Sequence, residues 1–135
     1  MKRLAVLTSG GDAPGMNAAI RSVTRTALAA GFEVFGVRDG YTGLIAGQFV
    51  PFGPREVGGI LALGGTMLGS SRCAELRTDA GQARALQSLA LQGSGALAVL
   101  GGNGSQSGAR SLSTRGPAVA GVAPALLGAA ALGAL

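Results

Sequence analysis

The chain has 135 residues, enough for one modest domain and too few for two well-filled cores. It carries one cysteine, Cys73, and no histidine, which excludes an internal disulfide framework, a zinc site and His-based acid–base or triad chemistry. The net charge of +5 comes without a Lys/Arg cluster and with only 4% aromatic residues, so no nucleic-acid partner is expected; the charge fits either a solvated arginine-rich surface or attraction to phosphorylated ligands.

Leu4–Leu7 reads as a short buried parallel strand stopped by glycines. Thr8 to Asn17 is a glycine-rich turn, in which Gly10 and Gly11 can take positive φ and bring backbone N–H groups close to an anion. A helix should follow, capped by Ser9 or Asp12, with Pro14 in its first turn; Met16, Ile20, Val23 and Ala27 fall at helical spacing to face a sheet, and Gly31 ends it. Glu33–Val37 is a second strand, and Asp39-Gly40 turns the chain. Gly43 to Pro54 is turn-rich, with a short edge strand near Phe49–Phe52. Val57–Leu63 is expected as a short helix interrupted at Gly64-Gly65.

Thr78 and Asp79 start the next helix, with Ala83, Leu86, Leu89 and Ala90 on its buried face. Gly95–Leu100 is a third strong strand, and Gly101-Gly102-Asn103-Gly104-Ser105 a second glycine-rich loop, leading into a helix from Gln106 to Leu112. Ala118–Val122 is a further strand. The alternation of strand and helix predicts an α/β fold: a parallel sheet with helices on both faces. From Gly116 to Leu135 no residue is charged, which is the length of a membrane span, but Pro117, Pro124 and the small residues argue for a strand followed by an Ala/Leu/Gly tail, and no membrane partner is expected. Lys2 and Arg3 precede only a short strand, so no signal peptide is expected and a cytoplasmic setting is.

Two glycine-rich turns, each after an apolar strand and before a helix, point to a nucleotide site with chemistry between them. Leu4–Asn17, Arg21, Gly36, Gly40-Tyr41, Gly43-Leu44-Ile45-Ala46-Gly47, Gly64-Gly65-Thr66, Ser71-Arg72-Cys73 and Gly101–Ser105 come in an order and spacing that resembles bacterial ATP-dependent 6-phosphofructokinase. The resemblance covers about residues 1–122, taken as a partial nucleotide-binding α/β domain of the Rossmann type, with 123–135 outside the pattern.

It implies transfer of a phosphoryl group from ATP to the 1-hydroxyl of fructose 6-phosphate, giving fructose 1,6-bisphosphate in glycolysis, with Mg²⁺. It also implies a homotetramer controlled by an ADP-type effector and phosphoenolpyruvate. Under the resemblance, Gly11 approaches the ATP phosphates through its backbone, and Arg72 neutralises charge on the transferring group. Cys73 lines the nucleotide pocket or is merely a small buried hydrophobe. Gly102, Gly104 and Ser105 wrap the phosphates, and Gly104 favours ATP over pyrophosphate. Arg21 and Arg25 share a helix face and belong to the effector site, or else form a solvated basic face.

The chain also departs from the pattern. Asn103 stands where the family holds Mg²⁺ with Asp, which predicts weak metal binding. Gly59 and Leu63 stand where the effector site commonly carries charge. After Val122 the family's Thr-Ile-Asp-Asn-Asp loop, with its catalytic Asp, is replaced by Ala123-Pro124-Ala125-Leu126-Leu127, and no Asp or Glu follows Asp79. The abrupt change predicts a tail out of register with the preceding reading frame, or a truncated gene. Three readings therefore remain open at this point: a phosphofructokinase by descent, a nucleotide-binding fragment that catalyses nothing, or a fold relic or membrane-tethered fragment with no ligand; without the catalytic Asp the chain alone is expected to be inactive.

Overall fold

The computed structural model describes residues 2–9, 16–58, 67–69, 73–101, 103–115 and 118–122; at positions 16, 103–106 and 118–122 it describes the backbone course alone. Its elements in chain order are β1 (Arg3–Thr8), α1 (Met16–Ala29), β2 (Glu33–Val37), α2 (Gly40–Ala46), β3 (Phe49–Phe52), α3 (Pro54–Gly58), a 3₁₀ turn (Ala74–Arg77), α4 (Asp79–Gln92), β4 (Ala96–Leu100), α5 (Asn103–Ser113) and β5 (Ala118–Val122).

The strands form one five-stranded sheet in the order β3-β2-β1-β4-β5. β1 pairs in parallel with β2 and β4, and β4 with β5. β3 is the exception: it returns antiparallel along β2, from Val34↔Phe52 to Val37↔Phe49. The short α2 connection makes this direction possible, since an antiparallel neighbour needs no crossover. Pro51 within β3 suits an edge position, where its missing N–H costs no ladder bond.

Because β1 and β4 are central, their alternating side chains are buried on both faces. Leu4, Val6, Ala96, Ala98 and Leu100 meet Ala19, Ile20, Val23 and Ala27 of α1 and Val57 of α3 on one face. Ala5, Leu7, Leu97 and Val99 meet Leu44 of α2, Ala85 and Leu89 of α4, and Ala109 and Leu112 of α5 on the other. Each fully buried Leu, Ile or Val contributes about 1.5–3 kcal/mol. The expected facing of Ile20, Val23 and Ala27 is observed, while the side chain of Met16 lies outside the description.

Several boundaries differ from expectation. Gly40–Ala46 is helical, where a turn at Asp39-Gly40 and the start of a turn-rich run from Gly43 were expected. Asp39 sits before it at φ 57, in the left-handed region, and Gly47 closes it at φ 76. Helix α3 starts at Pro54, whose fixed φ suits a first helical position; positions 59–63 of the expected helix lie outside the described residues. Thr78 caps α4 as expected, its Oγ1 accepting from the Gly81 N–H at 3.0 Å. The buried face of α4 is Gly81, Ala85 and Leu89, however, and Ala83 and Ala90 are exposed. Gly81 fixes that phase: a Cβ there would lie 1.8 Å from the Glu75 carbonyl oxygen, so the helix turns its glycine toward the 3₁₀ turn.

Candidate active site

Chain direction builds the site before any side chain does. From β1 the chain moves outward to β2, and from β4 it moves outward the other way to β5. Between the C-terminal ends of β1 and β4 the two paths part, and their helices lie on opposite faces: α1 over one core, α5 over the other. In open α/β sheets that parting leaves a ligand crevice. Thr8 is in register with Leu100, and the Ser9 N–H donates to the Leu100 carbonyl at 3.0 Å, so the two strand ends are tied where the glycine-rich segments leave them.

The second segment is shorter than expected. Helix α5 begins at Asn103, three residues before Gln106, so Asn103, Gly104 and Ser105 form its first turn rather than a free loop. The N–H groups of that turn have no partners within the helix, and the dipole adds positive potential at the same end. No acidic residue occupies the first turn of α1 or α5. Gly11, Arg72 and Gly102 lie outside the described residues, as do the side chains of Asn103 and Ser105.

Cys73 is described. It is half-buried and packs against the core beneath α2 and α4. That is the position of a small hydrophobe, which leaves contact with nucleotide a matter for proposal. Arg21 and Arg25 lie about 8 and 14 Å along α1 from its start, well away from the crevice, at a rise of about 1.5 Å per residue. Arg25 is exposed, whereas Arg21 is partly buried and its Nε has no hydrogen-bond partner among the described residues.

Sequence reasoning missed two features of this end of the sheet. The first is Met67–Gly69. The Met67 N–H donates to Asn17 Oδ1 at 2.7 Å, the Asp39 N–H to the Leu68 carbonyl at 3.0 Å, and Thr8 Oγ1 to the Gly69 carbonyl at 2.9 Å. The signal available was a pair of polar residues, Thr8 and Asn17, inside an otherwise apolar strand end and helix start. The second is the close seat of α5. A Cβ on Gly108 would lie 2.8 Å from Leu76 Cδ2 and 3.1 Å from the Tyr41 ring, so only glycine lets the helix approach so far. Tyr41 is 4% exposed there, and burial pushes its phenol well above its ordinary pKa.

Comparison with known proteins decides the family. The family described as Phosphofructokinase matches residues 3–125. The chain belongs to this family. It is 50% identical over 120 residues to the ATP-dependent 6-phosphofructokinase of Streptococcus sanguinis (strain SK36), and equally to that of Streptococcus pneumoniae (strain Hungary19A-6). In both cases 88% of this chain aligns with 36% of the relative, so the chain spans about a third of the length of the phosphofructokinases it matches.

Among solved structures, a T-state phosphofructokinase of Pichia pastoris superposes with TM-score 0.87 at 36% identity, covering 91% of this chain and 15% of that one. The phosphofructokinase of Saccharomyces cerevisiae gives 0.84 at 36% identity, covering 92% and 20%. The pyrophosphate-dependent phosphofructokinase of Marinobacter aquaeolei shares the fold alone, at TM-score 0.76 and 19% identity over 91% of this chain and 33% of that one. Among the described residues no helix is long and apolar enough to cross a membrane.

Proposed function

We propose that the protein in which this segment works transfers a phosphoryl group from ATP to fructose 6-phosphate, in the cytoplasm, and that the segment supplies the nucleotide side of the site. One observation carries the reading: two glycine-rich segments leave adjacent parallel strands at the crevice where the chain paths part, in a chain half identical to enzymes named ATP-dependent. Gly11, Gly102, Gly104 and Ser105 approach the phosphates through backbone N–H groups. Arg72 neutralises the charge that spreads over the transferring phosphoryl group. Cys73 lies beside it, at the pocket wall. Arg21 and Arg25 are assigned to an effector diphosphate at a subunit boundary of a homotetramer; the partly buried Arg21 guanidinium, whose Nε has no acceptor among the described residues, supports this.

Mg²⁺ is implied by the family, and the described residues at the crevice offer it no carboxylate. A hard divalent ion is bound through one or two carboxylates plus substrate phosphates. The first turns of α1 and α5 hold no acid, and among the described residues no three His, Cys, Asp or Glu side chains converge. Position 103 offers at most a neutral amide oxygen, which would hold the ion weakly.

Calorimetric titration tests both parts. ATP should bind at one site, and added Mg²⁺ should change its affinity by less than about threefold. Asn103→Asp should raise the affinity for Mg·ATP by more than about threefold. Failure of ATP to bind would remove the nucleotide reading, and an unchanged Mg·ATP affinity in Asn103→Asp would remove the metal argument alone. A coupled assay for fructose 1,6-bisphosphate, run on the complete protein, tests the transfer.

A further inference from the structure

Strand β3 lies at one edge of the sheet, with β2 on one side and, among the described residues, no strand on the other. The hydrogen-bond phase tells which of its backbone groups face outward. The Arg38 N–H donates to the Gln48 carbonyl at 3.1 Å, and Gln48 directly precedes β3 in the same register. Backbone groups alternate in direction along a strand. Val50 and Phe52 therefore turn theirs to β2, and Phe49 and Pro51 turn theirs to the open side. Side chains fix the strand in this attitude. Phe49 packs against the core beneath α2 and α4, and Val50 and Phe52 against the core of the α1 face. The strand cannot twist away from an approaching partner without uncovering them.

An open edge is a template for a further strand, and proteins guard such edges with charge, brevity, a bulge or proline. Charge is missing here, since no Asp, Glu, Lys or Arg occurs from Gly40 to Pro54. Gln48-Phe49-Val50-Pro51-Phe52 is uncharged and rich in β-formers, a composition that pairs with copies of itself unless a proline interrupts it. The proline stands where it acts outward. At position 50 it would face β2 and cost a ladder bond. At position 51 its exposed ring puts Cδ in the place of an outward N–H.

We propose that Pro51 guards the β3 edge against pairing with a second copy of this chain. The pairing it excludes is β3 against β3, antiparallel about a twofold axis with position 50 opposite position 50. In that register Phe49 of each copy faces residue 51 of the other, and a complete ladder exchanges four bonds. Proline removes two of the four, leaves the Phe49 carbonyl of each copy without a donor, and sets its ring in the path of the incoming strand.

Two substitutions of the full chain test this. Pro51→Val restores the N–H and suits a strand, while Pro51→Lys restores the N–H but sets a charge on the edge. In sedimentation equilibrium, Pro51→Val should raise the self-association constant about thirtyfold over the parent chain, the effect of two restored hydrogen bonds. Pro51→Lys should associate no more than the parent. Hydrogen exchange locates the contact: the outward Phe49 amide should exchange freely in the parent and become protected in Pro51→Val as the associated fraction grows. If Pro51→Val does not fold, Pro51→Thr, with the same N–H and a more soluble side chain, answers in its place.

An unchanged association constant in the folded variant overturns the guard, as does association that leaves the Phe49 amide unprotected. Equal association of the Val and Lys variants overturns it too, because loosened packing and not the edge would then be the cause.

Discussion

Gly43 shows how little room single positions leave in this fold. A Cβ there would fall 1.5 Å from the Arg38 carbonyl oxygen and 2.7 Å from its carbonyl carbon. Both atoms are backbone, so no rotamer change relieves the contact; either α2 lifts from the end of β2 or the strand end moves. Leu44 and Tyr41 are buried on the same helix, and lifting would uncover them. Gly43→Ala should therefore lower unfolding free energy by more than about 3 kcal/mol, well beyond the usual Gly→Ala gain of up to about 1 kcal/mol in a helix. Urea unfolding measures this, and a loss below about 0.5 kcal/mol would mean that α2 docks differently. The same residue explains why this helix was illegible in the sequence. Gly40 and Gly43 lower helix propensity, and only the spacing of Tyr41, Leu44 and Ile45 hinted that packing would override it.

Among the elements, Arg3 ties together three that are remote in sequence. Its Nε pairs with Glu33 Oε2 at 2.8 Å, its Nη1 donates to the Gln92 carbonyl at 2.7 Å, and its guanidinium lies 5.8 Å from the Phe35 ring centroid. The ion pair is 41% and 45% exposed and should contribute under about 1 kcal/mol. The bond to Gln92 lies at the C-terminal end of α4, where the dipole favours a cation and the carbonyl lacks an intrahelical partner. It should outweigh the ion pair. Arg3→Met is expected to cost about 1–2 kcal/mol and to keep most of that cost in high salt, whereas Glu33→Gln should cost under about 0.5 kcal/mol and lose its effect there. Equal, salt-sensitive losses in the two variants would refute this ranking.

Elements were legible where local pattern and packing agree. β1, β2, β4 and β5 are short apolar runs with glycine nearby, and all four lie within one residue of their expected ends. The phase of α4 was not legible, because alanines at 80, 83, 85 and 90 offer almost no contrast between faces. The start of α5 was hidden by Gly104, which reads as loop while serving as first turn. At the site, the glycine clusters marked the strand ends of β1 and β4, between which the crevice opens. The Thr8 and Asn17 anchors left no such mark, since they join residues 61 and 50 positions apart, and no local pattern encodes such a bond.

Across the whole molecule, the core beneath α2, α4 and α5 carries one buried ionisable group among its described residues. Tyr41 packs with Leu44, Leu76, Ala109 and Leu112 and is 4% exposed. Burial disfavours its phenolate, so its proton is held more tightly folded than unfolded, where it leaves near pH 10. A raised folded pKa gives a stability that is whole below about pH 10 and declines as pH rises beyond it, by up to about 1.4 kcal/mol per pH unit. Tyr41 is the chain's one tyrosine, so tyrosinate absorbance reports this site alone. In an alkaline titration that absorbance should appear together with the loss of helical circular dichroism, above the ordinary tyrosine range, because the group ionises when α5 leaves its seat on Gly108. Tyr41→Phe should lack the alkaline decline in unfolding free energy. Tyrosinate forming near pH 10 while the helices persist would show that water reaches the phenol in the folded chain, and that the close seat of α5, which aims its first turn at the crevice, does not hold.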